Sequence, residues 1–163
     1  MDEVIKYHYA DGKDYPAIFV CADAVVFYRN DKCSYEVAMI QRGDNGKKAL
    51  PGGFLNYDEA SFKAARRELK EETGLALTLL NSEYLGYMHF DDPYRTKVGN
   101  RKITTAHVFE VKEKAELKGA DDAVKAFWVE LGDVYDFNDE EVHDDHKNII
   151  VNCIRLLDKT KEN

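Results

Sequence analysis

Three glutamates, Glu68, Glu71 and Glu72, stand close together in the sequence. If Glu59–Thr73 is helical, they share about a 100° sector of one face at about 100° per residue. Like charges at that spacing repel and weaken an isolated helix. Arg66, Arg67 and Lys70 can offset part of the repulsion. Divalent cations can offset more, because hard cations take carboxylate oxygens. The Gly52-Gly53 turn just before the helix leaves main-chain carbonyls as further oxygen ligands. A solvated face with local ion pairs would show the same cluster, since helix surfaces are usually charged.

The elements that must position these carboxylates alternate along the chain. Ala17–Arg29 is rich in Val, Phe and Ala and reads as a strand; a turn at Asn30-Asp31 leads to a partner strand, Tyr35–Gln41. The loop RGDNGKKALPGG then carries four glycines and a proline. In the glutamate helix, Phe62, Ala65 and Leu69 form the apolar face, Asn56 or Asp58 is the expected N-cap, and Gly74 sits where a left-handed C-cap belongs. Ser82–Phe90, Ile103–Val111 and Ala126–Leu131 read as further strands. From about Asp144 to Lys159, Ile150, Ile154 and Leu157 form a helical stripe with Cys153 beside it. Two separated helices and mixed strands suggest an α/β sheet covered on both faces.

Composition bounds the function. With 163 residues, 44% hydrophobic residues and net charge −8, the chain fits one domain, residues 1–163. The start, MDEVIKYHYADGK, lacks a basic stretch followed by an apolar core, and no apolar run approaches the roughly 20 residues that span a bilayer. The expectation is no secretory signal and no membrane partner. Cys21, Cys33 and Cys153 share no CxxC spacing and fit reduced, inert thiols in a cytoplasmic protein. The acidic balance argues against long nucleic acids as partners. A small anionic substrate remains compatible if metal ions or a local basic site receive it.

The full spacing of the central segment is more specific. Gly53, five residues, Glu59, seven residues, then Arg67-Glu68-Leu69-Lys70-Glu71-Glu72-Thr73-Gly74-Leu75 matches the Nudix box at all nine fixed positions over 23 residues, and LPGGF at Leu50–Phe54 leads into it. The chain therefore resembles the Nudix hydrolases, and the likeness implies a single such domain with a core of about 15–157. The resemblance implies an α/β/α sandwich with a mixed sheet, and hydrolysis of a diphosphate linked to some other group. It further implies Mg²⁺ or Mn²⁺ on Glu68 and Glu72, with Glu71 close by and the Gly52 carbonyl completing the shell. Arg67 would pair with Glu59 and orient the glutamates, with Gly53 opening the box, while Leu69 would pack in the core. A general base from a later loop is left open among Glu140, Glu141, His143, Asp144 and Asp145, most of which also fit helix N-terminal charges.

The box does not choose the substrate. Tyr94–Lys102 holds Arg95, Lys97, Arg101 and Lys102 and no acid, a positive island suited to a phosphate or, equally, a solubilising loop tip. Arg42 is a weaker candidate for the same job. The order FDDPYR, basic loop, ITTAHVFEV, DDAVKAFWVEL, HDDHKNII is similar to the ADP-ribose pyrophosphatase branch. That likeness implies conversion of ADP-ribose to AMP and ribose 5-phosphate. Arg95 would contact phosphate, and Tyr94, Tyr87 and Phe90 would be candidates for the adenine pocket. Asp121 and Asp122 read as a structural turn. The competing readings are hydrolysis of nucleoside triphosphates or dinucleoside polyphosphates, RNA decapping, and a non-catalytic regulator that binds ADP-ribose. Members of the ADP-ribose branch are frequently homodimers, an expectation that no residue of this chain locates.

Overall fold

The computed structural model describes residues 4–159. Residues 1–3 and 160–163 of the expected domain, including the first three of the N-terminal stretch read above, lie outside the described residues. The elements are β1 (Lys6–His8), β2 (Asp14–Pro16), β3 (Phe19–Arg29), β4 (Tyr35–Arg42), β5 (Lys48–Ala49), β6 (Gly52–Phe54), α1 (Ser61–Thr73), β7 (Ser82–Phe90), β8 (Lys102–Val111), β9 (Ala123–Glu130), α2 (Leu131–Asp136) and α3 (His146–Lys159).

β3 organises the main sheet. Its apolar run is buried on both faces from Ala22 to Phe27, as expected of a strand with a layer on either side. The order is β5-β4-β3-β8-β7, with β6 also on β3 and β9 also on β4. β3 and β8 run parallel, whereas β3–β4 and β7–β8 are antiparallel, so the sheet is mixed. On one face Val25, Phe27, Met39 and Val108 pack with Ile149, Ile150, Cys153 and Leu157 of α3. On the other, Ala22, Ala24, Val26 and Ala38 meet Ala64, Ala65 and Leu69 of α1. This is the Nudix-type α/β/α arrangement. No helix among the described residues is long and apolar enough to cross a membrane.

Several boundaries differ from the sequence reading, for local reasons. α1 starts at Ser61, and Ala60 holds the N-cap position without a side-chain cap; neither Asn56 nor Asp58 serves. Asn56 instead closes a turn with Glu59: the Glu59 N–H donates to the Asn56 carbonyl (3.1 Å) and the Asn56 N–H to Glu59 Oε2 (3.2 Å). Gly74 ends the helix at φ 75°, a conformation that costs a glycine nothing sterically, and its N–H donates to the Lys70 carbonyl. β9 begins at Ala123 because its pairing with β4 extends to Arg42. In α3 the buried stripe includes Ile149, while Ile154 is only partly covered. The small pieces β1, β2, β5, β6 and α2 carry too few residues for a visible period. Asn100 ties the first of them down: it accepts from the Ile5 N–H (2.9 Å) and donates to the carbonyls of Ile5 (3.0 Å) and Ala17 (2.8 Å).

Candidate active site

A cleft of about 450 Å³ opens where the start of β3, β6 and the box helix meet the loops after β7, before β9 and before α3. α1 supplies one wall. Its buried side carries Ala64, Ala65 and Leu69, so the helical period turns Glu68 and Glu72 toward the cleft. Glu72 is buried, and its Oε2 accepts the Gly52 N–H at 3.0 Å. Glu68 lies against β6. A Cβ placed on Gly53 would stand 2.6 Å from Glu68 Oε1, so this position has room only for glycine unless the carboxylate moves. Arg67 knits the wall together. It donates to Glu59 through Nε (2.8 Å) and Nη2 (2.9 Å), to Glu68 and Glu71 through Nη1 (2.8 and 3.0 Å), and to the Phe54 carbonyl (3.2 Å).

The facing wall is assembled from distant parts of the chain. Asp23 on β3 is buried and accepts from the Thr104 hydroxyl on β8 at 2.6 Å. Arg95 is buried and forms a two-pronged pair with Asp145 (3.0 and 2.8 Å), with a third bond to the Lys102 carbonyl (3.1 Å). The buried His146 ring accepts the Leu50 N–H at Nδ1 (2.9 Å), joining the start of α3 to the glycine-rich loop. His143 and Asp144 also line the cleft, with Asp144 held at φ 44°.

Burial sets the protonation behaviour of these groups. It raises the Glu72 carboxyl to about 8, against the partial relief of the Gly52 N–H, with Glu68 adding repulsion. Glu68 is raised for the same first cause, with Arg67 pulling the other way. Asp23 is raised by burial although Thr104 stabilises its charge. His146 is depressed to about 3 and His143 is also depressed, both chiefly by burial. Burial lifts Cys21, on the cleft wall, to about 12, which keeps it a thiol and not a nucleophile. Among the described residues no group of three or more His, Cys, Asp or Glu side chains is arranged as a ready metal cage, and Arg67 ties Glu68 and Glu71. The donor set nevertheless suits a hard cation: carboxylate oxygens whose charge burial disfavours gain most from an added positive charge.

The NUDIX domain family matches residues 19–153. The chain belongs to the Nudix family. It is 32% identical over 123 residues to an ADP-ribose pyrophosphatase of Methanocaldococcus jannaschii, covering 74% of this chain and 66% of that one. A bifunctional NMN adenylyltransferase/ADP ribose pyrophosphatase from Francisella tularensis superimposes with TM-score 0.74 at 31% identity, over 85% of this chain and 41% of that one. A MutT/nudix family protein from Enterococcus faecalis gives TM-score 0.73 at 25% identity, over 90% and 64%. The chain spans 52% and 66% of the length of two curated relatives it matches.

Within this Nudix fold the structure gathers Glu68, Glu71, Glu72, Arg67, Gly52, Gly53, Arg42, Arg95, Lys102, His143 and Asp144 at one cleft. Glu59 reaches it through Arg67. Tyr94 does not join: it is 89% exposed and does not line the cleft. Tyr87 stacks toward His89 and His107, and Phe90 packs on the α3-side core. Arg95, a candidate phosphate contact by the resemblance, lines the cleft and pairs with Asp145. Arg42 pairs with Asp44 at 2.7 Å. Glu141 pairs with Lys48, and neither it nor Glu140 lines the cleft, so of the late-loop acid–base candidates His143 and Asp144 face it with side chains not tied to Arg95. Asp121 and Asp122, read as a structural turn, line the cleft, and Asp121 stands at φ 54°. Asp23 was hidden in a strand pattern. A carboxylate in an otherwise apolar run, AIFVCADAVVFY, was the signal for it.

Proposed function

We propose that the chain hydrolyses a nucleoside diphosphate linked to a further group, with ADP-ribose the first substrate and AMP and ribose 5-phosphate the products. Family membership supports Nudix-type hydrolysis in general. The names carried by the Methanocaldococcus and Francisella relatives support this substrate. The observation that carries the reading is that the half-buried Glu68 and the buried Glu72 line one cleft with the basic side chains of Arg42, Arg95 and Lys102.

Glu68 and Glu72 would hold Mg²⁺ or Mn²⁺, with Glu71 beside them and the Gly52 carbonyl as a further oxygen. Bound there, the ion supplies charge neutralisation and water activation at the diphosphate. The chain's own residues do the rest. Glu59 fixes Arg67, and Arg67 fixes the direction of the Glu68 and Glu71 carboxylates. The Gly52 N–H orients Glu72. His143 or Asp144 takes the proton from the attacking water, since both face the cleft and burial keeps His143 neutral near pH 7.

The test is incubation of the chain with ADP-ribose, nucleoside triphosphates and dinucleoside polyphosphates in Mg²⁺, with chromatographic identification of products. AMP and ribose 5-phosphate from ADP-ribose are expected. Turnover of the triphosphates or dinucleotides alone would displace ADP-ribose. Absence of any turnover would contradict the reading.

A further inference from the structure

The cleft contains four permanent cations, and three of them have anionic partners within the chain: Arg42 with Asp44 (2.7 Å), Arg67 with Glu59 (2.8 Å) and Arg95 with Asp145 (2.8 Å). Among the described residues Lys102 is the cleft cation without an ion pair. Its ammonium lies 5.9 Å from the ring centroid of Phe54. Phe54 lines the same cleft, is 51% exposed, and is backed by Phe19 with ring centroids 5.3 Å apart.

Three strands bring these groups together. Phe19 on β3 is in register with Lys102 on β8, and Cys21 on β3 with Phe54 on β6. Their backbones are fixed. The Phe54 carbonyl accepts from Arg67 and the Lys102 carbonyl from Arg95. The side-chain ends remain open to the cleft. Lys102 lines the cleft together with Cys21 and His143.

We infer that Phe54 and Lys102 form the nucleotide-recognition subsite, in which the planar base covers the Phe54 ring and the Lys102 ammonium takes the charge of the adjoining phosphate. This rests on the nucleotide-diphosphate reading of the cleft. It moves the basic contact from Arg95 to Lys102, and the aromatic contact from Tyr94 to Phe54. A base on an aromatic ring is a sequence-tolerant contact worth about five-fold in binding or more.

The experiment is calorimetric titration of the full chain in Mg²⁺ with AMP and with ribose 5-phosphate, which share the phosphate and sugar and differ in the base. The wild-type chain should bind AMP at least about five-fold more tightly. Phe54→Leu should remove that gap by weakening AMP alone, and Phe54→Tyr should keep it. Lys102→Met should weaken both ligands by about ten-fold, less so at high salt. Thermal melts of each variant separate these effects from loss of folding. Equal binding of the two ligands by the wild-type chain, no measurable binding, or indifference to Phe54→Leu and Lys102→Met would overturn the inference. An enzyme active on ADP-ribose with unaltered variant binding refutes the subsite and leaves the function standing. A chain inert toward ADP-ribose that binds AMP through both residues refutes the function and leaves the subsite.

Discussion

The two walls of the cleft are built in opposite ways. The α1 wall comes from one stretch, Gly53–Leu75, whose geometry follows from the helical period and the close approach of Glu68 to Gly53. The facing wall is pinned by pairs remote in sequence: Arg95 with Asp145 (50 residues apart), Asp23 with Thr104 (81) and Leu50 with His146 (96). On the first wall burial holds charges at a cost that a cation can relieve. On the second, the Arg95–Asp145 pair matches charge with charge and helps hold the loops in place. Damage to the first wall should therefore appear in chemistry, and damage to the second in stability.

The largest expected effect is on the first wall. Glu72→Gln keeps an oxygen for the Gly52 N–H and removes a charge that burial disfavours. Hydrolysis should fall about a thousand-fold, since the charge stabilisation lost is several kcal/mol, while urea unfolding should show no loss of stability. Arg95→Met should do the reverse in kind. It leaves the half-buried Asp145 without its partner, and the unfolding free energy should drop by about 2 kcal/mol. If Glu72→Gln unfolded the chain while Arg95→Met affected only turnover, the contrast between the walls would be wrong.

The same contrast explains what was legible in sequence. The box pattern gave α1, Gly74 as its left-handed end, the Glu59–Arg67 pair and Leu69 in the core, because each depends on neighbours within one or two turns. The Arg95–Asp145 pair was not legible, because its members lie fifty residues apart and composition carries no pairing. Asp121 and Asp122 looked like an ordinary turn, since only the packing of that loop beside α1 brings them to the cleft. β5 and β6 gain their pairing from β4 and β3 and have no period of their own.

Smaller effects sharpen the picture. His146, depressed to about 3 by burial, and His107, depressed to about 4, are neutral when folded and protonate on unfolding below their ordinary value of 6.5. The unfolded state then binds more protons, so stability should fall as pH drops below about 6.5, by about 1.4 kcal/mol per pH unit for each histidine. Denaturant titrations at pH 7.5 and 5 would show it. His146→Gln should flatten part of that slope. Arg67→Lys loses the fork that grips Glu59 and should lower kcat by about ten-fold with little change in melting temperature.

The central claim is that Glu68 and Glu72 recruit a divalent cation to the cleft. Titration of the chain with Mn²⁺, followed by electron paramagnetic resonance of the free ion, tests it without reference to substrate. Saturable binding in the wild-type chain, lost when Glu68 and Glu72 are both replaced by Gln, is the predicted result. Equal Mn²⁺ uptake by the two proteins, or none by either, would contradict it.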